Sequence, residues 1–146
     1  NLPGKVMKTR VDCISLPVES LAATVAFYRD GLGWPIGDVD ETGDHIPLQL
    51  TNGSYLVFIE RSDYSTFTDM AALAVAPKGV SGCILSYFAD SKPEVDEIIR
   101  QAAASGAKTV EAADRPWGYA GLFIDPDQHL WEVLWNENLA KSDAAT

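Results

Sequence analysis

Apolar and polar positions follow the same order of patterns twice along this chain. Residues 11–18, Val-Asp-Cys-Ile-Ser-Leu-Pro-Val, alternate as a strand does, and Pro17 places that strand near a sheet edge or end. Behind the capping residue Ser20, Leu21, Val25, Tyr28 and Leu32 recur at helical spacing until Gly31 or Gly33 stops the run. Ile46, Leu48 and Leu50 then alternate with Pro47 and Gln49, Asn52-Gly53 supplies a tight hairpin turn, and residues 55–60 return. The second pass opens with a strand over 83–89 and a capping box at Ser91 and Glu94, with Pro93 near the helix start. Val95, Ile98, Ile99 and Ala102 form its buried stripe; after Gly106 come a short strand near Thr109 and Val110 and a loop over 114–118. A hairpin over 119–135 turns at residues 125–128.

An offset of about 70 residues between the passes marks an internal duplication. Residues 61–81 read as a polar, irregular connection, and no Gly/Ser-rich or charged linker divides the halves. The pattern predicts an α+β fold of two tandem βαβββ modules in one domain over residues 1–146. Module one covers about residues 8–62, module two about 80–136, and residues 137–146 form a small, polar tail. The copies differ at their ends: the second closes on Leu130-Trp-Glu132-Val, and an acid is read to stand there where the first copy holds Phe58.

Composition narrows the class of partner. With 146 residues, 47% of them apolar, the chain buries roughly 70% of its unfolded surface without staples. Neither Cys13 nor Cys83 lies in a CxxC pair, which reads as two reduced thiols and a cytoplasmic setting. No apolar run reaches the length of a membrane span, and the first residues lack a charged-then-apolar export pattern, so no membrane partner is expected. A net charge of -10, with only 11 scattered Lys and Arg, excludes nucleic acid as a natural partner. The motifs of phosphate-binding loops, dinucleotide folds, α/β-hydrolases and zincins are absent.

Val11-Asp-Cys-Ile-Ser-Leu-Pro-Val18, the helix ending Phe27-Tyr-Arg-Asp-Gly-Leu-Gly33-Trp, and Gly121-Leu-Phe-Ile-Asp-Pro-Asp-Gln-His-Leu-Trp-Glu-Val-Leu-Trp-Asn136 resemble the glyoxalase/bleomycin-resistance/dioxygenase family, also called the vicinal oxygen chelate superfamily. The resemblance spans residues 8–136. It implies that the two modules curl into a half-open cup with helices outside, often completed within a dimer, so a homodimer is expected. It also implies a divalent metal in the enzymes of the family, held by a His on a module's first strand and a Glu on its last. Carried onto this chain, the His position falls on Cys13, the first-module Glu position on Phe58, and the second-module first-strand position on Ile84 or Cys83. Only Glu132 keeps the family's residue type, and neither His45 nor His129 stands at a ligand position. The expectation is therefore no cofactor, with a divalent metal on Glu132 and Cys13 as the alternative. Gln128 stands where the family usually has Gly.

Each candidate carries a plain reading beside its functional one. Glu132 shares its strand face with Leu130 and Leu134, and a carboxylate in apolar surroundings is costly unless paired, metal-bound or protonated. It is the candidate catalytic base, or a relic satisfied by a nearby donor. Cys13 is a soft ligand or a small buried residue, and packing is the stronger expectation. Phe58 makes an apolar wall in place of an oxygen donor, and Ile84 lines the cup. His129 braces its turn. His45 and Gln49 face the cup if the even-numbered residues of their strand face the helices. Arg115, Trp117 and Tyr119 form a loop able to close on a planar or anionic ligand, Arg115 pairing a carboxylate and Trp117 stacking. Trp34 and Tyr87 read as packing.

These readings favour a protein that binds a small organic molecule in the cup without the usual metal chemistry. The alternative is a glyoxalase-type lyase or isomerase acting on a carbonyl or hydroxy compound, with Glu132 as base or metal ligand.

Overall fold

The computed structural model describes residue 4, residues 6–40 and residues 42–139; the tail expected over 137–146 lies outside them from residue 140 on. Strand β1 (Cys13–Val18) leads into α1 (Leu21–Val25), which continues as π-helix over Ala26–Gly31, followed by β2 (His45–Gln49), β3 (Tyr55–Glu60) and α2 (Arg61–Met70). The second half runs β4 (Ile84–Phe88), α3 (Lys92–Ala104), β5 (Lys108–Arg115), β6 (Gly118–Ile124) and β7 (Leu130–Trp135). The strands form two open sheets, in the orders β1-β3-β2 and β4-β7-β6-β5, with the first strand of each module parallel to the last. Among the described residues no helix is long and apolar enough to cross a membrane.

Local signals explain most of these elements. Ser20 Oγ accepts the Ala23 N–H at 3.2 Å, and Ser91 Oγ accepts that of Glu94 at 3.2 Å while Glu94 takes the Asp90 N–H at 2.6 Å. These caps satisfy first-turn donors that have no partner inside the helix. The Asn52-Gly53 turn forms as expected, with Gly53 at φ +92.

Three expectations change. Among the described residues module one contributes three strands rather than four, because the stretch between the π-helical run and β2 carries Pro35, Gly37, Gly43 and three aspartates, which do not suit a pleated ladder. Residues 61–70, read as irregular, are helical; α2 was hidden because none of its residues is buried and it therefore lacks a core-facing stripe. The short strand expected near residue 109 runs through residue 115, with a bulge between Val110 and Ala113.

The two modules meet on their helix-side faces. Leu16, Val18, Ile46, Leu48, Leu56 and Phe58 of the first share one buried cluster with Val95, Ile99, Phe123, Trp131 and Val133 of the second. The π-helical run turns the neighbours Phe27 and Tyr28 both into this cluster, which a regular helix does less well. Tyr28 then bridges the modules. Its hydroxyl donates to Asp125 at 2.6 Å and accepts the Trp131 indole N–H at 3.0 Å, while its ring lies 4.8 Å from those of Phe58 and Trp34. Further bonds join the modules: His129 Nε2 lies 2.7 Å from the Pro17 carbonyl, Asp127 accepts the Glu19 N–H at 2.8 Å, and Gln101 Nε2 donates to the Gly31 carbonyl at 3.0 Å. His129 thus braces its loop as expected. Gly31 is needed for the close approach of the helices, since a Cβ there would lie 2.5 Å from Ser105 Oγ.

Burial first, then the neighbouring Asp125 charge, raises the Tyr28 hydroxyl pKa well above its ordinary 10.0. A raised folded-state value keeps its full stabilisation below the unfolded pKa and loses it as pH rises beyond that value. Urea unfolding is expected to show stability falling above about pH 10, with a smaller fall in Tyr28→Phe. At neutral pH that variant should lose about 1–3 kcal/mol, because Asp125 and Trp131 each keep a buried group without its partner. An unchanged midpoint would contradict this role.

Candidate ligand face around Glu132

Residues paired across a ladder share a face, so strand register decides which candidates stand together. In the three-stranded sheet the even-numbered set, Leu16, Val18, Ile46, Leu48, Leu56 and Phe58, is buried. The odd-numbered set forms an open face of three rows: Cys13, Tyr55 and Gln49; Ser15, Val57 and Pro47; Pro17, Ile59 and His45. His45 therefore faces outward with Gln49, and its Nδ1 lies 2.6 Å from Asp44 Oδ1. Cys13 is exposed on that face instead of packed, with its Sγ 3.9 Å from Ser15 Oγ.

Phe58 is corrected by the same logic. It is fully buried against Tyr28 and lines no open face. The counterpart of Glu132 is Val57: Ser15 pairs with Val57 as Ser86 pairs with Glu132. Both also stand four residues beyond a left-handed turn residue, Gly53 at φ +92 and Gln128 at φ +66. Taking Phe58 as the counterpart is a slip of one residue, and one residue reverses the face. Gln128 adopts without glycine the conformation that the family's usual Gly suits.

On the four-stranded sheet the face turned away from α3 holds Ile84, Ser86 and Phe88 of β4 beside Leu130, Glu132 and Leu134 of β7. Ala120, Leu122 and Ile124 of β6 follow, with Val110 of β5; this face is open except at one end, where Leu134 and Ala120 are buried. Glu132 stands near the middle as the single acid among apolar neighbours. Both its oxygens are engaged: Ser86 Oγ donates to Oε1 at 3.2 Å, and Trp117 Nε1 donates to Oε2 at 2.8 Å. Trp117 belongs to the turn between β5 and β6, where Asn136 Nδ2 holds its carbonyl at 2.9 Å. Ile84 and the indole of Trp117 are more than half exposed.

The rest of the expected loop does not join this face. Arg115 spends its guanidinium on its own hairpin, donating to the carbonyls of Ala120 and Glu111 at 3.1 Å each, so it spans the bulge and does not await a carboxylate. Tyr119 lies on the opposite side, where its hydroxyl donates to Asp96 of α3 at 2.6 Å and Lys92 sits 5.1 Å from its ring centre. Ser86 is the residue beside Glu132 that sequence reasoning missed. Its signal was present, since it stands two residues beyond Ile84 with the same parity.

The donor set does not fit a divalent metal. The two His-type positions hold Cys13 and Ile84, and the two Glu-type positions hold Val57 and Glu132. The one carboxylate among them is already bonded to two neutral donors. Among the described residues no three His, Cys, Asp or Glu side chains gather. A hard cation held by one carboxylate is weakly bound.

Comparison with known proteins agrees with the fold. The model of the Glyoxalase/Bleomycin resistance protein/Dioxygenase superfamily matches residues 10–133. No curated protein matches the chain in sequence. A glyoxalase-related enzyme from Fulvimarina pelagi superposes with a TM-score of 0.75 at 25% identity, covering 88% of this chain and 89% of its own. A glyoxalase/bleomycin resistance protein/dioxygenase family enzyme from Burkholderia phytofirmans gives 0.67 at 18%, covering 85% and 96%. A lactoylglutathione lyase from Agrobacterium tumefaciens gives 0.65 at 20%, covering 90% and 96%.

Dialysis against zinc, nickel, manganese or iron should leave no stoichiometric metal by elemental analysis, and Glu132→Ala should not alter the result. Near-stoichiometric metal lost in that variant would contradict the misfit.

Proposed function

From the premise that this chain belongs to the Glyoxalase/Bleomycin resistance protein/Dioxygenase superfamily, we propose that the open face around Glu132 binds a small organic molecule without the family's divalent metal. One observation carries this reading: a hydrogen-bonded carboxylate centred on an apolar sheet face that remains turned to solvent. Binding sites for small molecules combine mostly apolar walls with a few fixed polar groups, and Ile84, Phe88, Leu122, Val110 and Trp117 supply such walls. Ser86 and Trp117 fix the carboxylate's position, so a ligand's donor meets an acceptor already in place. The best-fitting ligand has a flat apolar body and one hydrogen-bond donor.

Catalysis by Glu132 as a base on a carbonyl or hydroxy compound is the less supported reading. The carboxylate is held by two neutral donors, and among the described residues no metal-binding set accompanies it to steady an anionic intermediate.

Calorimetry with a panel of aromatic and aliphatic amines and alcohols tests the proposal. Ile84→Arg, at an exposed position, should weaken binding by about tenfold or more, as loss of an apolar contact does. Glu132→Gln should weaken donor-bearing ligands by about tenfold, near 1.4 kcal/mol, and spare matched ligands lacking the donor. Failure of the whole panel to bind, or binding indifferent to both substitutions, would overturn the reading.

A further inference from the structure

The duplication leaves one strand without its counterpart. In the second module β5 covers the outer edge of β6, whereas β2, which stands where β6 does, is the last strand of its sheet. The ladder to β3 decides which backbone groups lie on that edge. Leu50 donates its N–H to the Ser54 carbonyl at 2.7 Å, and Glu60 donates to the Asp44 carbonyl at 3.0 Å. Polar groups alternate in direction along an antiparallel strand, so the even-numbered residues turn theirs to β3 while His45, Pro47 and Gln49 turn theirs outward. Among the described residues no backbone group bonds to these three. Pro47, which has no N–H, stands where a strand tolerates it. The edge keeps the donors of His45 and Gln49 and the carbonyls of all three.

A groove of about 610 Å³ lies against this edge, lined by residues 35–40 and 43–49. Ile36, Ile46 and Leu48 are its buried, apolar part, and Asp38, Asp40 and Asp44 are exposed. Neither Lys nor Arg lines it. Arg29, which reaches the Gly37 carbonyl at 3.5 Å, pairs with Asp30 at 2.9 Å. Hydrogen bonds from Thr42 and His45 hold the carboxyls of Asp40 and Asp44 below their ordinary pKa, so they stay charged at neutral pH.

We propose that the outer edge of β2 binds a basic segment of another protein in extended form, as an added strand. Recognition by strand addition takes its affinity from main-chain bonds to a free edge and its specificity from the places that alternate side chains meet. An antiparallel segment facing residues 45, 47 and 49 completes three pairs of ladder bonds, less the one that Pro47 cannot donate. Charge selects the occupant. A nucleic acid, an anionic membrane or a second copy at -10 brings like charge to three aspartates, whereas Lys and Arg bring the opposite one. Successive side chains of a strand point to opposite faces, so a segment that alternates basic and apolar residues fits a groove with both an apolar part and an acidic one. The edge belongs to the other sheet from Glu132, and this binding is independent of the ligand reading.

Fluorescence anisotropy on the full chain tests the proposal with a labelled peptide of alternating Lys and Val, about eight residues long. It should bind, and its Glu and Val counterpart should not. Attraction by charge alone is separated by amide hydrogen exchange, which needs no substitution. At saturating peptide the His45 and Gln49 amides should exchange about tenfold or more slowly, with Val11 unchanged. Asp38→Asn with Asp44→Asn should weaken binding several-fold, and Gln49→Pro, which removes one of the two outward donors and leaves the bonds to β3 in place, by about fivefold or more. Absence of binding, or binding that leaves exchange at His45 and Gln49 unchanged, would overturn the proposal and leave the ligand reading intact.

Discussion

The buried contact among Tyr28, Asp125 and Trp131 is the constraint on which the molecule depends. One hydroxyl from the first module donates to a carboxylate of the second and accepts an indole N–H from the same module. Its ring meanwhile packs on Phe58 of the first sheet. Because the interior is apolar, each of these polar groups would be costly without its partner, so they specify one arrangement of the two halves. That arrangement commits the helix-side face of both sheets to a shared core and leaves their other faces open. The position of Glu132 on an exposed apolar surface follows from where Tyr28 sits.

The open faces show how duplicated modules diverge in chemistry. Ser15 and Ser86 are equivalent, but the residue beside the first is Val57 and beside the second Glu132. A carboxylate on both, with histidines in place of Cys13 and Ile84, would gather ligands around a cation. Here one carboxylate remains, and the indole of Trp117 with the hydroxyl of Ser86 supplies the donors that it needs. The fold is that of the superfamily, and the group at the centre of the face is suited to recognising a donor.

Much of the fold was legible in the sequence because its signals are local. Ser20 and Ser91 cap helices as their types predict, the Asn52-Gly53 turn closes a hairpin, and the parity of Ile46 and Leu48 correctly turns His45 outward. The site was less legible because it depends on register. Phe58 and Val57 are neighbours in sequence but lie on opposite faces, so a slip of one residue in matching the copies exchanges a buried wall for the open face. Arg115 and Tyr119 looked like ligand contacts by residue type, but bonds to the 111 and 120 carbonyls and to Asp96 had already engaged them. Helix α2 escaped notice because a helix that buries nothing leaves no core-facing stripe to read.

The most direct test of the central claim follows the Trp117 indole N–H by nuclear magnetic resonance, its peak assigned by its loss in Trp117→Phe. The account predicts a hydrogen-bonded resonance that is indifferent to added zinc and moves when a donor-bearing ligand reaches Glu132. A resonance displaced by one equivalent of zinc, or unmoved by every ligand that binds, would contradict it.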